Sequence, residues 1–318
     1  MKKILLLTTG GTIACEPTAD GLVPALDGAT LIKMVPGLSG LCDITSQEIL
    51  NLDSSNIEPV HWQLLARALE KNYFDFDGFV ITHGTDTLAY TAAALSWMLQ
   101  HLQKPVVLTG AQQPITMPNS DAQANLQHAF AAACANVPGV MVVFGNKIIG
   151  GSQAQKMYTE SRDAFVSVNA ESWADITQTG ICWRPRLMQQ VARVQAAPQF
   201  GFKVLSALEP RVALIKLIPG LDPGIIDYYL AQGYKGLVLE GFGAGGVPNG
   251  HRNWLPKLEK AVQAGVRIVC ATQCVYEGVN LHKYPIGTWA ARVGAKSAGL
   301  LTTEAAVTKL MWELANTK

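Results

Sequence analysis

Two hydrophobic rhythms alternate along this chain. Short runs that are apolar on both faces, at residues 4–8, 79–82, 106–109 and 140–144, read as strands covered above and below by other elements. Between them the apolar positions fall at helical spacing. Behind Pro59, which suits a first helical position, Trp62, Leu65, Ala66 and Leu69 follow at i, i+3, i+4 and i+7. Further helices are expected over about 87–100 and 122–133. Strands separated by amphipathic helices are the mark of βαβ units, so the fold class is α/β, with a mostly parallel sheet flanked by helices.

The pattern weakens between Arg184 and Leu208, where Gln, Arg, Ala and Pro dominate, and a fresh series of strands begins at 212–217, 236–240 and 267–271. This predicts a larger amino-terminal domain over 1–190, a linker over 191–208 and a smaller carboxy-terminal α/β domain over 209–318. A closing helix is expected as well. Thr302 or Thr303 can cap it, Glu304 suits its positive first turn, and Val307, Leu310, Met311 and Leu314 form its apolar stripe.

Charge and cysteine usage narrow the partners. Over 318 residues, 25 Lys and Arg against 24 Asp and Glu leave a formal charge of +1, with only 15% of residues charged. Such a chain lacks the cationic surplus that nucleic acid or an anionic membrane demands, so neither is expected as a partner. The six cysteines show no paired spacing of the zinc or disulfide type and read as free thiols in a reducing compartment. The apolar run at 4–7 is too short for a signal peptide, and the stretch 129–145 is broken by Asn136 and Pro138. A cytoplasmic, soluble protein is expected.

In an open α/β sheet, ligands bind beyond the carboxyl ends of the strands, and three of the loops there carry chemistry. The first, Thr9-Gly10-Gly11-Thr12-Ile13-Ala14, combines paired glycines with two hydroxyls, at a spacing that fits neither a dinucleotide loop nor a phosphate loop. The second, His83-Gly84-Thr85-Asp86-Thr87, sets a carboxylate and two hydroxyls at a helix start, where they could cap the helix or face a ligand. His83 is expected to be structural. The third is Asp53-Ser54-Ser55-Asn56, ordinary turn chemistry made interesting by its position. If their strands are neighbours, the loops share a pocket offering Thr12, Ser54, Ser55, Thr85 and Asp86. That set contains neutral donors, one carboxylate and no metal constellation, and suits a small zwitterion.

The first two loops resemble the signature segments of the bacterial-type L-asparaginase family, and the resemblance continues through Thr109-Gly110-Ala111-Gln112, Ser120-Asp121-Ala122, Asn125-Leu126, Lys156 and Thr272-Gln273-Cys274. It is nearest to the cytoplasmic type I branch. It implies hydrolysis of asparagine to aspartate and ammonia, without cofactor or metal. In that scheme Thr12 attacks the amide, while Thr85, Lys156 and Asp86 form the second catalytic cluster. Ser54, Ser55 and Asp86 hold the α-groups of the substrate, and the carbonyl of Ala111 accepts from its amide. The resemblance also implies a left-handed crossover near the site and assembly as a homodimer or homotetramer. Many relatives carry a lid tyrosine where this chain has Leu22, and Tyr284 stands where some type I relatives supply another. Where certain relatives bind an effector through an arginine, this chain has Glu240, with Cys274 retained, so strong activation by asparagine is not expected. Three alternatives stand beside this: a glutaminase-asparaginase, an archaeal tRNA-dependent amidotransferase component, which shares the motifs, and a small-molecule-binding regulator without turnover.

Overall fold

The computed structural model describes residues 1–19, 21–196 and 201–317, with the side chains of 194–196 excepted. They form two compact units, Met1–Ser206 and Ala207–Lys318.

The amino-terminal unit is built on an eight-stranded sheet. Five strands run parallel, in the spatial order Asp43–Leu52, Lys3–Gly10, Gly78–Thr82, Pro105–Thr109 and Gly139–Phe144. Three antiparallel strands, Lys147–Gly150, Ala174–Thr177 and Gly180–Trp183, then extend the sheet at the far edge. The middle strands are buried along their whole length, which explains their unbroken apolar runs. On one face Ile4, Leu6, Val80, Val107, Met141 and Val143 pack with Leu126, Ala129 and Phe130 of the helix Ala122–Ala133. The helices Pro59–Asn72 and Leu88–Met98 bury Leu65, Leu69, Leu95 and Met98.

Registration decides where the strands end. Thr8 pairs with Thr82 and Thr82 with Thr109, so two neighbouring strands finish level, the first runs two residues further, and all three release their loops at one edge. Between the first strand and Asp43–Leu52 the register shifts after Thr8, and Gly10 comes to lie opposite Leu52.

In the carboxy-terminal unit Val212–Lys216, Gly236–Gly241, Arg267–Thr272 and Lys296–Ser297 form a parallel four-stranded sheet. Its core includes Ile215, Leu237, Leu239, Trp254, Leu258 and Cys270. The closing helix spans Thr303–Asn316, and Thr302 is its cap, accepting from the amide of Ala305.

Three elements depart from the sequence pattern. The helix Pro185–Ala196 occupies a stretch with little apolar signal and runs into the expected linker, of which 197–200 lie outside the described residues. Its few apolar side chains suffice because Leu187 and Val191 meet the core of the unit on one face. A hairpin, Cys15–Thr18 with Gly21–Pro24, holds Leu22, which is half exposed. Short antiparallel strands, Ala154–Lys156 with Phe165–Ser167, carry Lys156. All six cysteines are free, and among the described residues no helix is long and apolar enough to cross a bilayer.

Phe130 is fully buried between its helix and the sheet. Phe130→Ala should therefore destabilise the amino-terminal unit by about 3–5 kcal/mol, read as a lower denaturant midpoint. A cost under about 1 kcal/mol would mean that this contact is not part of the core.

Candidate active site

The three loops meet through glycine. Gly10 and Gly11 have φ of 91° and 80°, the left-handed region that side chains avoid. A Cβ on Gly11 would lie 2.5 Å from Gly84 Cα and 2.8 Å from the carbonyl carbon of His83. One on Gly84 would lie 2.6 Å from Ser54 Oγ, and one on Gly110 would collide with the carbonyl oxygen of His83. Hydrogen bonds close the contacts. Gly11 N donates to Leu52 O at 3.1 Å, His83 N to Thr109 O at 2.9 Å, and Thr87 Oγ1 to Ser54 O at 2.7 Å.

Of the residues named from sequence, Thr12, Ser54, Thr85 and Asp86 lie on these touching loops, and Lys156 reaches them from its short strand. Thr12 opens the 3-10 turn Thr12–Ala14 and is half-buried; its hydroxyl bonds to no described residue. Lys156 Nζ donates to Thr85 Oγ1 at 2.8 Å and to Asp86 Oδ1 at 2.6 Å. The lysine side chain is 18% exposed and the Asp86 side chain 59% exposed, so the pair adds little stability but leaves a carboxylate open to a cationic ligand. Ser54 is buried, and Ser55 is exposed with its amide donating to Asp53 Oδ1 at 2.7 Å. Ala111 is buried on the loop after Pro105–Thr109.

Tyr284 and Glu240 belong to the carboxy-terminal unit. Tyr284 precedes the helix Pro285–Arg292, is half exposed, and has Lys283 Nζ over its ring. Both carboxylate oxygens of Glu240 are taken, one by Lys216 Nζ and the other by Thr303 Oγ1, each at 2.8 Å.

Sequence reasoning gave no role to the residues that hold the Ala111 loop. The Asp121 carboxylate accepts from the amides of Gln112 and Gln113 and from Asn125 Nδ2, at 3.0–3.1 Å. Asn125, also buried, donates to Gly110 O at 2.9 Å and accepts from Gly145 N at 3.0 Å. The available signal was an Asp just before a helix with Asn four residues on, on the same face. Gln112 also bonds to Thr85, with its Oε1 3.3 Å from Thr85 Oγ1.

His83 is fully buried, and its ring is held at both ends. Nδ1 lies 2.7 Å from Gly84 O, which can only accept, so the proton sits on Nδ1. Nε2 then accepts from Thr91 Oγ1 at 2.9 Å, and that hydroxyl in turn accepts from Trp62 Nε1 at 2.9 Å. Burial lowers the imidazole pKa to about 4, so the ring is a neutral strut beneath the second loop. The unfolded chain takes up a proton here below about 6.5, whereas the folded chain resists it until about 4. Stability should therefore fall by about 2 kcal/mol between about pH 7 and about pH 5 through this residue. His83→Asn keeps a donor for Gly84 O and cannot titrate. Urea unfolding at the two pH values should show that much less pH dependence in the variant, and an equal dependence in both proteins would refute the assignment.

Comparison with known proteins draws these observations together. A family model described as "Asparaginase, N-terminal" matches residues 3–189, and one described as "Glutaminase/Asparaginase C-terminal domain" matches 211–318. An L-asparaginase of Thermococcus kodakarensis is 39% identical over 99% of this chain and 94% of its own length. A glutamyl-tRNA(Gln) amidotransferase component of Pyrococcus abyssi is 36% identical over 100% of this chain and 73% of its own length. Among solved structures, the thermostable L-asparaginase of T. kodakarensis superposes with a TM-score of 0.87 at 38% identity, covering 99% of this chain and 93% of that one. L-asparaginase I of Vibrio cholerae gives 0.84 at 32%, covering 100% and 94%. With both halves matched by family models and relatives aligned along its whole length, the chain belongs to the asparaginase family.

Proposed function

We propose that this protein hydrolyses L-asparagine to L-aspartate and ammonia, with Thr12 as nucleophile. The observation that carries this reading is the Lys156–Thr85–Asp86 cluster, standing on a loop pressed against the Gly11–Thr12 turn. An amide is a poor electrophile and a hydroxyl a poor nucleophile, so proton transfer and charge stabilisation must be built into the site. The Thr12 oxygen bonds to the amide carbon, the carbon–nitrogen bond breaks with proton delivery to the leaving nitrogen, and ammonia departs. Water then attacks the resulting ester, releasing aspartate and restoring the Thr12 hydroxyl. Thr85, polarised by Lys156, serves the proton transfers. The open carboxylate of Asp86 is the counter-ion for the substrate ammonium, and Ser54 and Ser55 donate to its carboxylate. The Ala111 carbonyl accepts from its amide.

No cofactor enters this reading. The catalytic groups on the larger amino-terminal domain act in a cytoplasmic homodimer or homotetramer, with Tyr284 supplying the phenol that the position of Leu22 lacks. Tyr284→Phe with unchanged kcat would remove it from the scheme. Occupation of Glu240 by Lys216 and Thr303 fits the absence of an anionic effector site at that strand end. A second reading rests on the amidotransferase components among the relatives: the same site would release ammonia from an amide for transfer onto tRNA.

Ammonia release from L-asparagine and from L-glutamine, measured in parallel, tests both readings. Asparagine should be preferred, with the extra methylene of glutamine worth about 1–3 kcal/mol between anchored α-groups and a fixed nucleophile. Equal kcat/KM for the two amides would defeat that preference, and turnover only in the presence of tRNA would favour the second reading. Thr12→Ala and Thr85→Ala should each lower kcat at least about a hundredfold with the fold intact by circular dichroism. Near-normal turnover in Thr12→Ala would show that the nucleophile lies elsewhere.

A further inference from the structure

The hydroxyl of Thr85 has one proton and two lone pairs, and its neighbours dictate where each points. Lys156 Nζ can only donate, so at 2.8 Å it takes up one lone pair. Among the described residues the other hydrogen-bond partner of this hydroxyl is Gln112, whose amide has two ends of opposite character. Its Nε2 lies 2.9 Å from Thr159 O and 3.2 Å from Ser161 O. Backbone carbonyls can only accept, so the NH2 end must face them and the oxygen end must face Thr85. Oε1 has no proton to give. The Thr85 hydroxyl therefore donates to Gln112 at 3.3 Å.

With one lone pair on Lys156 and the proton on Gln112, the remaining lone pair is left free. We propose that Gln112 is a positioning residue that makes Thr85 present a hydrogen-bond acceptor to the substrate pocket. This rests on the amidohydrolase reading, in which the free lone pair of Thr85 accepts a hydrogen bond from the Thr12 hydroxyl or from the attacking water and orients it, while Thr85 keeps its own proton and the Thr12 proton goes to the leaving nitrogen. Without an acceptor at 112 the hydroxyl proton turns into the open direction, and Thr85 meets its reaction partner as a donor. The orienting information comes from two carbonyls on the segment 159–161, relayed through one amide. The backbone of Gln112 is independently fixed by Asp121, so the side chain starts from a set position.

A double-mutant cycle tests this. Gln112→Met keeps the length of the side chain and removes both polar ends. In the parent it should lower kcat about tenfold while KM stays within about twofold, and in a Thr85→Ala background it should cost less than about a further twofold. Thermal melting verifies that each variant folds. Gln112→Glu supplies a second readout. Its carboxylate would face the two carbonyls with lone pairs on both sides, whereas its protonated form can donate to Thr159 O and accept from Thr85. Its kcat relative to the parent should therefore rise as pH falls, and that of Gln112→Met should not. Equal losses with and without Thr85, or a pH-independent ratio for Gln112→Glu, would overturn the role of Gln112 and leave the amidohydrolase reading standing. Failure of the unaltered protein to release ammonia would overturn both.

Discussion

The contact on which everything else depends is the one between Gly11 and Gly84. Here two loops approach so closely that Gly11 cannot carry a Cβ, and one on Gly84 would run into Ser54. Three strand ends thereby become one surface. The proximity is imposed by backbone rather than by side-chain attraction, so it survives exchange of ligands and leaves the hydroxyls of Thr12 and Thr85 free of any packing duty. Backbone contact of this kind suits a site whose reacting groups must be held to within about half an ångström. The neutral His83 beneath it, joined through Thr91 to Trp62, extends the same rigidity down into the core.

Around that contact, charge is used sparingly. Lys156 is the cation that touches Thr85, and Asp86, which partners it, remains open to solvent. The carboxylate that pairs with the lysine is thus one that a ligand can also engage. Asp121 is spent differently: it accepts only from N–H groups and anchors the Ala111 loop. Two aspartates 35 positions apart serve opposite purposes, and burial separates them, since Asp121 is buried and Asp86 is not.

Much of this was legible in the chain. The central strands and the helices at 59–72 and 122–133 announced themselves because burial on both faces, or on one face, leaves a periodic trace in apolar residues. The loops bearing Thr12, Ser54 and Thr85 could be picked out by rule, since ligands gather at strand ends. The antiparallel extension, the hairpin at 15–24 and the helix Pro185–Ala196 left weaker traces, being short or only thinly apolar. Harder still was Gln112. A glutamine has no periodicity, and its importance lies in which of its two ends faces a carbonyl. Lys156 is similar: as a bare lysine it reads as surface charge, and only motif order singled it out.

The strand pair Ala154–Lys156 and Phe165–Ser167 brings a lysine to a threonine 71 residues earlier in the chain. Contacts of such long sequence separation form late, because the intervening loop must be closed before the contact repays its entropy. The strands Pro105–Thr109 and Gly139–Phe144 lie within the loop that this contact closes. A nascent chain halted within the first 150 residues would hold the hydroxyls and the carboxylate but not the cation. On the proposed reading, the cluster is thus complete only once the segment bearing Lys156 has joined the domain.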